Sequence, residues 1–344
     1  MSNTIELKEI VELFVKEFEL CKVERGETMA ILSDTTSSPL YVEAGLAAAS
    51  QMGADAFNLN LLSRAAVGST GGANPLVDNQ PAIDALKSAD FMVDLVFLLF
   101  SKEQIELQQA GTRILTVKEP PETLKRMLPD GDLGRRVTAA TKRLERGREL
   151  RFTNRAGTNV TYRLGAYPTL GLRGFVDSPG EWDSWPSGFI FTGAGETEVN
   201  GRVVMDTGDI VFPFGTQLAG PVSFEIREGR VVELDGGADA DKLRTYISSF
   251  DDPKAWAVSH IGWGLNDKAE WTVDGRSGPG VGIDGRCYYG NVLFSTGPNT
   301  ELGGKNDTAC HLDLPMRNCS LWLDGEPIVL DGQLVPDDLR APGR

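Results

Sequence analysis

The sequence predicts an α/β chain in two parts. Residues 1–148 read as an N-terminal doubly wound domain with a mostly parallel sheet, and residues 149–344 as a β-rich α+β domain. Three observations predict this. Up to Val117, short apolar runs alternate with segments of helical periodicity, the pattern of a sheet covered on both faces. From about Leu150 the runs shorten, alternate in polarity and are punctuated by Gly, Asn and Asp, which marks hairpins. The length of 344 residues also suits two domains better than one.

Taken in order, Leu7 to Val23 carries Ile10, Leu13, Phe14, Phe18 and Cys21 at helical spacing. Gly26-Glu27 turns into an apolar strand ending at Asp34. Ser37 to Met52 reads as a helix, with Pro39 in the first turn and Gly53 as its stop. Strand Ala54 to Leu62, helix Gln80 to Ala89, strand Phe91 to Phe100, helix Lys102 to Ala110 and strand Thr112 to Val117 complete the alternation. Pro120-Pro121 and a basic helix, Asp132 to Arg148, lead out of the domain. Its cations, Arg135, Arg136, Lys142, Arg143, Arg146 and Arg148, read as an anion site or, better, as a solvated face paired with the chain's acids. Beyond it, 151–154 with 160–163 and 222–226 with 231–234 read as hairpins, and Gly188 to Phe214 alternates short strands with turns. Trp182-Asp183-Ser184-Trp185 reads as a polar turn. Helix Ala238 to Phe250 precedes a glycine-rich loop, Ser259 to Gly264. Strands follow at Cys287–Phe294, Cys310–Leu323 and Ile328–Leu330. Gly278 to Gly282 lacks the lysine and flanking elements of a phosphate loop and reads as a plain turn.

Composition removes several function classes. Asp and Glu number 49 against 34 Lys and Arg, and a net charge of −15 opposes a nucleic-acid partner. Met1 to Lys8 has no basic-then-apolar leader, and no apolar run approaches the ~20 residues of a membrane span. The four cysteines are scattered, with no CxxC spacing, so they read as reduced thiols. The chain is therefore expected in the cytoplasm, without a membrane partner.

The chemistry concentrates in Cys310-His311-Leu312-Asp313-Leu314. Residues two apart on a strand share a face, so His311 and Asp313 can reach one ion together. The other of the two histidines, His260, lies in the glycine-rich loop. A carboxylate between leucines is costly to bury without a cation. Two His and one carboxylate with open positions form the ligand set of non-haem Fe(II) oxygenases; the competing reading is a pair of hydrogen-bonded structural histidines. A serine hydrolase lacks its Gly-x-Ser-x-Gly turn here. Cys310 faces away from its neighbour His311 and reads as a buried thiol. Trp182 and Trp185 read either as a stacking wall for a flat ligand or as cover between domains.

These blocks carry a resemblance. Gly26-Glu27-Thr28, Ile31 to Asp34, Tyr41-Val42-Glu43, Trp185-Pro186-Ser187-Gly188, Asn200-Gly201, Ser259-His260-Ile261-Gly262 and His311-Leu312-Asp313 resemble the 2,5-dihydroxypyridine 5,6-dioxygenases of nicotinate degradation. Those enzymes share their fold with metallo-aminopeptidases of the aminopeptidase T type. The resemblance implies a β-rich metal-binding second domain, with one Fe(II) on His260, His311 and Asp313. It also implies a homo-oligomer, and cleavage of a small hydroxylated aromatic or N-heterocyclic ring by O2, giving N-formylmaleamate from 2,5-dihydroxypyridine. On this reading Phe100, Trp182 and Trp185 hold the ring, and Asp183 or Ser184 bonds its polar groups and serves catalysis. Two departures stand out. The peptidases' second-metal acids are replaced by Phe189 and by the Ala255–Ala257 region, which opposes a dinuclear site. The accessory histidines of the dioxygenases are missing at Leu99-Phe100-Ser101 and at Ser184. A metallo-aminopeptidase-like hydrolase and a non-catalytic binding relative are the alternatives.

Overall fold

The computed structural model describes residues 6–64, 74–273 and 282–344. Residues 1–5, and with them most of the Met1 to Lys8 stretch, lie outside these, as does all but Gly282 of the expected turn over Gly278 to Gly282. The chain divides into two compact units: residues up to Asp130 with Leu172–Ser187, and Gly131–Gly171 with the described residues from Gly188 onward.

The first unit runs α1 (Leu7–Leu20), β1 (Thr28–Asp34), α2 (Pro39–Met52), β2 (Asp55–Leu61), α3 (Gln80–Lys87), β3 (Phe91–Asp94), α4 (Lys102–Gln109), β4 (Arg113–Val117) and α5 (Pro121–Arg126). The chain then leaves for α6 (Gly131–Arg146), β5 (Glu149–Thr153), β6 (Asn159–Arg163) and β7 (Leu170–Leu172), and returns for β8 (Trp182–Trp185). The sheet, in order β2-β1-β3-β4-β8, is parallel throughout. Alternate residues feed opposite cores. Met29, Ile31, Phe91 and Val93 pack with Phe14 and Phe18 of α1 and Ala44 of α2. Ala30, Leu32 and Met92 pack with Ile83 and Leu86 of α3 and Leu107 of α4. This is the doubly wound arrangement that the alternation predicts.

Three details of this unit differ from expectation. A single boundary at residue 148 is replaced by a crossing at Asp130 and a return at Leu172–Ser187. The Trp182–Trp185 segment is no turn: it hydrogen-bonds to β4 and extends the sheet. Strand β3 stops at Asp94 rather than Phe100, because the Asp94 carboxylate accepts the N–H groups of Val96, Phe97 and Leu98 at 2.8–2.9 Å and bends the chain. Phe97 and Phe100 then adopt φ of 68° and 54°, outside the extended range.

The second unit continues with β9 (Phe189–Gly193), β10 (Val199–Met205), β11 (Ile210–Val211), β12 (Thr216–Gln217), β13 (Val222–Arg227), β14 (Arg230–Asp235), α7 (Gly237–Ser248), β15 (Val258–Gly264), α8 (Ile283–Cys287) and β16 (Val292–Thr296). It ends with β17 (Leu312–Met316), β18 (Ser320–Leu323), β19 (Glu326–Leu330) and β20 (Gln333–Leu334). Eight strands form one sheet in the order β14-β13-β10-β6-β5-β18-β19-β20, and five another in the order β17-β16-β15-β9-β7. Their apolar residues share one core, where Phe224 on β13 meets Phe294 on β16 edge-on at 5.5 Å. The expected single strand Cys310–Leu323 is two strands in different sheets, separated by a turn with Asn318 at φ 57°. Cys287 ends helix α8 instead of opening a strand. On α6, Arg135 and Arg143 pair with Asp132 and Asp338, as a charged surface face should. Arg136 is the exception: it is buried and bonds Asp132, Asp267 and the Leu265 carbonyl. Among the described residues no helix is long and apolar enough to cross a membrane.

Candidate metal centre

His260 is on a strand, where a loop was expected. β15 is central in the five-stranded sheet, between β9 and β16, and its glycines permit close approach rather than looping. A Cβ at Gly262 would lie 1.8 Å from the Ile190 carbonyl oxygen, and one at Gly264 would lie 2.2 Å from that of Tyr288. The pairing of β15 with β16 slips between Val258 and Ile261, so one extra residue is accommodated beside His260. Bulges of this kind re-aim a side chain, often next to a site. The His260 N–H is taken by Ser295 Oγ at 3.0 Å.

Ser295 lies on β16 opposite Asp313 of β17. Strands β15 and β17 are therefore separated by a strand bearing only a hydroxymethyl group at that level. Over this small residue the longer side chains meet. His260 Nε2 is 3.2 Å from Asp313 Oδ1, His311 Nε2 is 3.4 Å from the same oxygen, and the two Nε2 atoms are 3.3 Å apart. His311 precedes the first residue of β17 and still reaches the same point as Asp313, as the two-residue spacing predicts.

The donor set fits a divalent metal ion. Two imidazole nitrogens and a carboxylate oxygen converge, and Asp313 Oδ1 is buried without accepting a hydrogen bond. An ion bound at about 2.1 Å places adjacent donors about 3 Å apart, close to the separations found here. Among the described residues this is the one group of three or more such side chains able to share an ion. Phe189 stacks on Phe191 at 5.8 Å, so the position brings an apolar ring and no further carboxylate.

The surroundings are half aromatic and half charged. Phe191 packs on the His260 ring at 4.8 Å and shields one side from water. Arg286 Nε donates to Asp313 Oδ2 at 2.7 Å, and its guanidinium lies over Phe212 at 4.0 Å. Burial by itself raises the Asp313 pKa, but the charges of His311 and Arg286 and the adjoining imidazoles hold it well below the usual carboxylate range. Burial lowers the pKa of His311, yet Asp313, and Glu301 beyond it, leave it raised.

The family model for NicX, 2,5-dihydroxypyridine 5,6-dioxygenase, matches residues 9–336. The chain belongs to that family. The 2,5-dihydroxypyridine 5,6-dioxygenase of Pseudomonas putida KT2440 is 41% identical over 343 residues, 97% of this chain and 98% of the relative. A solved 2,5-dihydroxypyridine dioxygenase structure from the same organism superposes with a TM-score of 0.93 at 39% identity, covering 98% of this chain and all (100%) of that one. AmpT of Thermus thermophilus shares the fold at a TM-score of 0.63 and 13% identity, over 96% of this chain and 100% of its own. The family and the aminopeptidase T-type fold expected from the sequence are therefore both found.

In this dioxygenase-family chain the other expected site residues fall in the first unit. Phe100 and Trp182 form a tilted pair at 5.0 Å, and Ser184 shares the Trp182 face of β8. Asp183 and Trp185 point the opposite way, into the core under α1. Trp185 is 1% exposed and meets Phe14 edge-on at 5.2 Å, so it has no face left for a substrate ring. Asp183 is 2% exposed, with both oxygens taken by backbone N–H groups, so it faces the core and not an open ring site. The four cysteines are buried free thiols, and burial pushes Cys310 up to about 12. Sequence reasoning missed Arg286, Ser295, Phe191 and Phe212. Ser295 and Phe191 sit on apolar strands that could have been paired with His260, but Arg286 offers no local signal at all.

Proposed function

We propose that the protein opens 2,5-dihydroxypyridine between C5 and C6 with O2, giving N-formylmaleamate, at one Fe(II) held by His260, His311 and Asp313. The observation that carries this reading is the approach of three donor atoms to within 3.2–3.4 Å of one another, with Asp313 Oδ1 accepting no hydrogen bond. Bound there, Fe(II) would relay electrons from the closed-shell ring to O2 and would lower the pKa of a ring hydroxyl. The protein's part is positional and electrostatic. Asp313 offsets one unit of the ion's charge, and Arg286 offsets that of Asp313. The pocket thus keeps a surplus of positive charge, which suits a ring bound as its oxyanion. Phe191 keeps water from one side of His260. Both oxygen atoms enter the product, so no separate reductant is needed.

Phe100, Trp182 and Ser184 keep their substrate-contact roles as proposals; Phe100→Leu should raise KM for the ring, and an unchanged KM removes that role. The four free thiols support a cytoplasmic setting. A homo-oligomer is the expected state, and a monomer by light scattering would refute it. The central test is metal analysis of anaerobically prepared protein with an oxygen-electrode assay. One iron per chain and one O2 consumed per 2,5-dihydroxypyridine are expected, with uptake lost to a chelator and restored by Fe(II). Iron-loaded protein that consumes no O2 with this compound would defeat the reading.

A further inference from the structure

The two oxygens of Asp313 are treated differently. Oδ1 is directed at both imidazoles, whereas Oδ2 is occupied by Arg286 Nε at 2.7 Å. We propose that Arg286 is a positioning residue that holds Asp313 as a one-oxygen metal ligand, an inference that rests on the mononuclear reading above.

The clamp is fixed on three sides. Arg286 is anchored in α8 and its guanidinium lies 4.0 Å from the centre of the Phe212 ring. The Phe212 N–H donates to the Asp313 carbonyl at 2.9 Å, tying ring and ligand strand together. The ring is pressed against the start of α8, where a Cβ at Gly282 would lie 2.4 Å from Phe212 Cε1. Carboxylate, guanidinium and ring therefore form one braced stack.

The consequence is a coordination number. A carboxylate free at both oxygens can close on an ion with both and use two of its positions. With Oδ2 committed to Arg286, Asp313 would offer an ion one oxygen and leave more of its positions to substrate and O2. A planar guanidinium suits this task better than an ammonium, because it can stack on a ring and bond in its own plane at once.

The test uses the full chain loaded anaerobically with Co(II), whose d–d absorption weakens as coordination number rises, in competition with a chromophoric chelator. Arg286→Met should lower Co(II) affinity by about 10–100-fold and weaken the d–d bands. In the Fe(II)-loaded protein kcat should fall more than KM rises. Arg286→Lys should recover part of the affinity but not the wild-type spectrum. Where Arg286→Met fails to fold by near-UV circular dichroism, Arg286→Gln is read in the same way. Wild-type affinity and spectrum in the folded Met or Gln variant would overturn the inference and leave the proposed function standing. Failure of the wild-type protein itself to bind Co(II) or Fe(II) would overturn both.

Discussion

Asp183 and Asp313 are both carboxylates on strands and both largely hidden from water, yet their surroundings give them opposite characters. Asp183, on β8, accepts the N–H groups of Arg173 and Gly174 on Oδ2 at 2.6 and 2.9 Å, and that of Ser184 on Oδ1 at 2.7 Å. Burial still pushes its pKa up to about 8, with backbone N–H groups pulling the other way and the Glu181 charge adding to the rise. Asp313 has one oxygen on Arg286 and one that accepts nothing, and its pKa is held down. A buried acid whose lone pairs are filled by backbone shapes the chain around itself. One with an oxygen left over, facing two imidazoles, is a ligand in waiting. What separates the two is where their oxygens end, since burial is common to both.

The same isosteric change at each position breaks or sharpens this contrast, and the larger effect belongs to Asp313. In Asp313→Asn the proposed ion would lose its anionic donor. Iron content after anaerobic gel filtration should fall to background, with affinity down by at least about 100-fold, and O2 uptake should match the blank. Near-UV circular dichroism establishes that the protein measured is folded. Wild-type iron content in folded Asp313→Asn would remove Asp313 from the ligand set.

How much of this was legible beforehand follows the same line. The alternation of strands and helices in the first unit reads directly from apolar periodicity, because each buried strand supplies two cores in turn. The His311–Asp313 pairing reads from strand geometry alone. The end of β3 does not, since Asp94 stops it with its own side chain inside an otherwise apolar run. Nor does β8: a four-residue strand after a long excursion is defined by its partner β4, and its composition, Trp-Asp-Ser-Trp, suits a turn equally well. Read as a turn, the segment leaves Asp183 and Trp185 free to face a substrate; read as a strand, it turns them toward α1. The glycines around His260 look like those of a loop, when they serve close packing of β9 and α8. Arg286 meets Asp313 across 27 residues of sequence, a contact no local pattern encodes.

Asp183→Asn should do something different and smaller. Whichever way the amide turns, an NH2 group faces at least one backbone N–H that the carboxylate had satisfied. One unsatisfied buried donor costs about 1–3 kcal/mol, to be read from urea unfolding. Iron content and turnover per folded molecule should be unchanged. Lost turnover with iron intact would return Asp183 to the catalytic machinery.

The last signature is a slope. In the unfolded chain Asp183 ionises near pH 4, and in the folded protein at about 8. Between those values the folded state holds one more proton than the unfolded state. Stability therefore falls as pH rises through the window, by at most about 1.4 kcal/mol per pH unit, and levels off above it. Glu17, whose pKa is raised by burial and by the Asp183 charge, titrates in the same sense, so the informative quantity is wild type minus Asp183→Asn. That difference should fall steadily from pH 5 to pH 8. A difference independent of pH would mean that three N–H groups outweigh burial and keep Asp183 ionised. The two aspartates would then share a charge state and differ only in whether an oxygen remains for an ion.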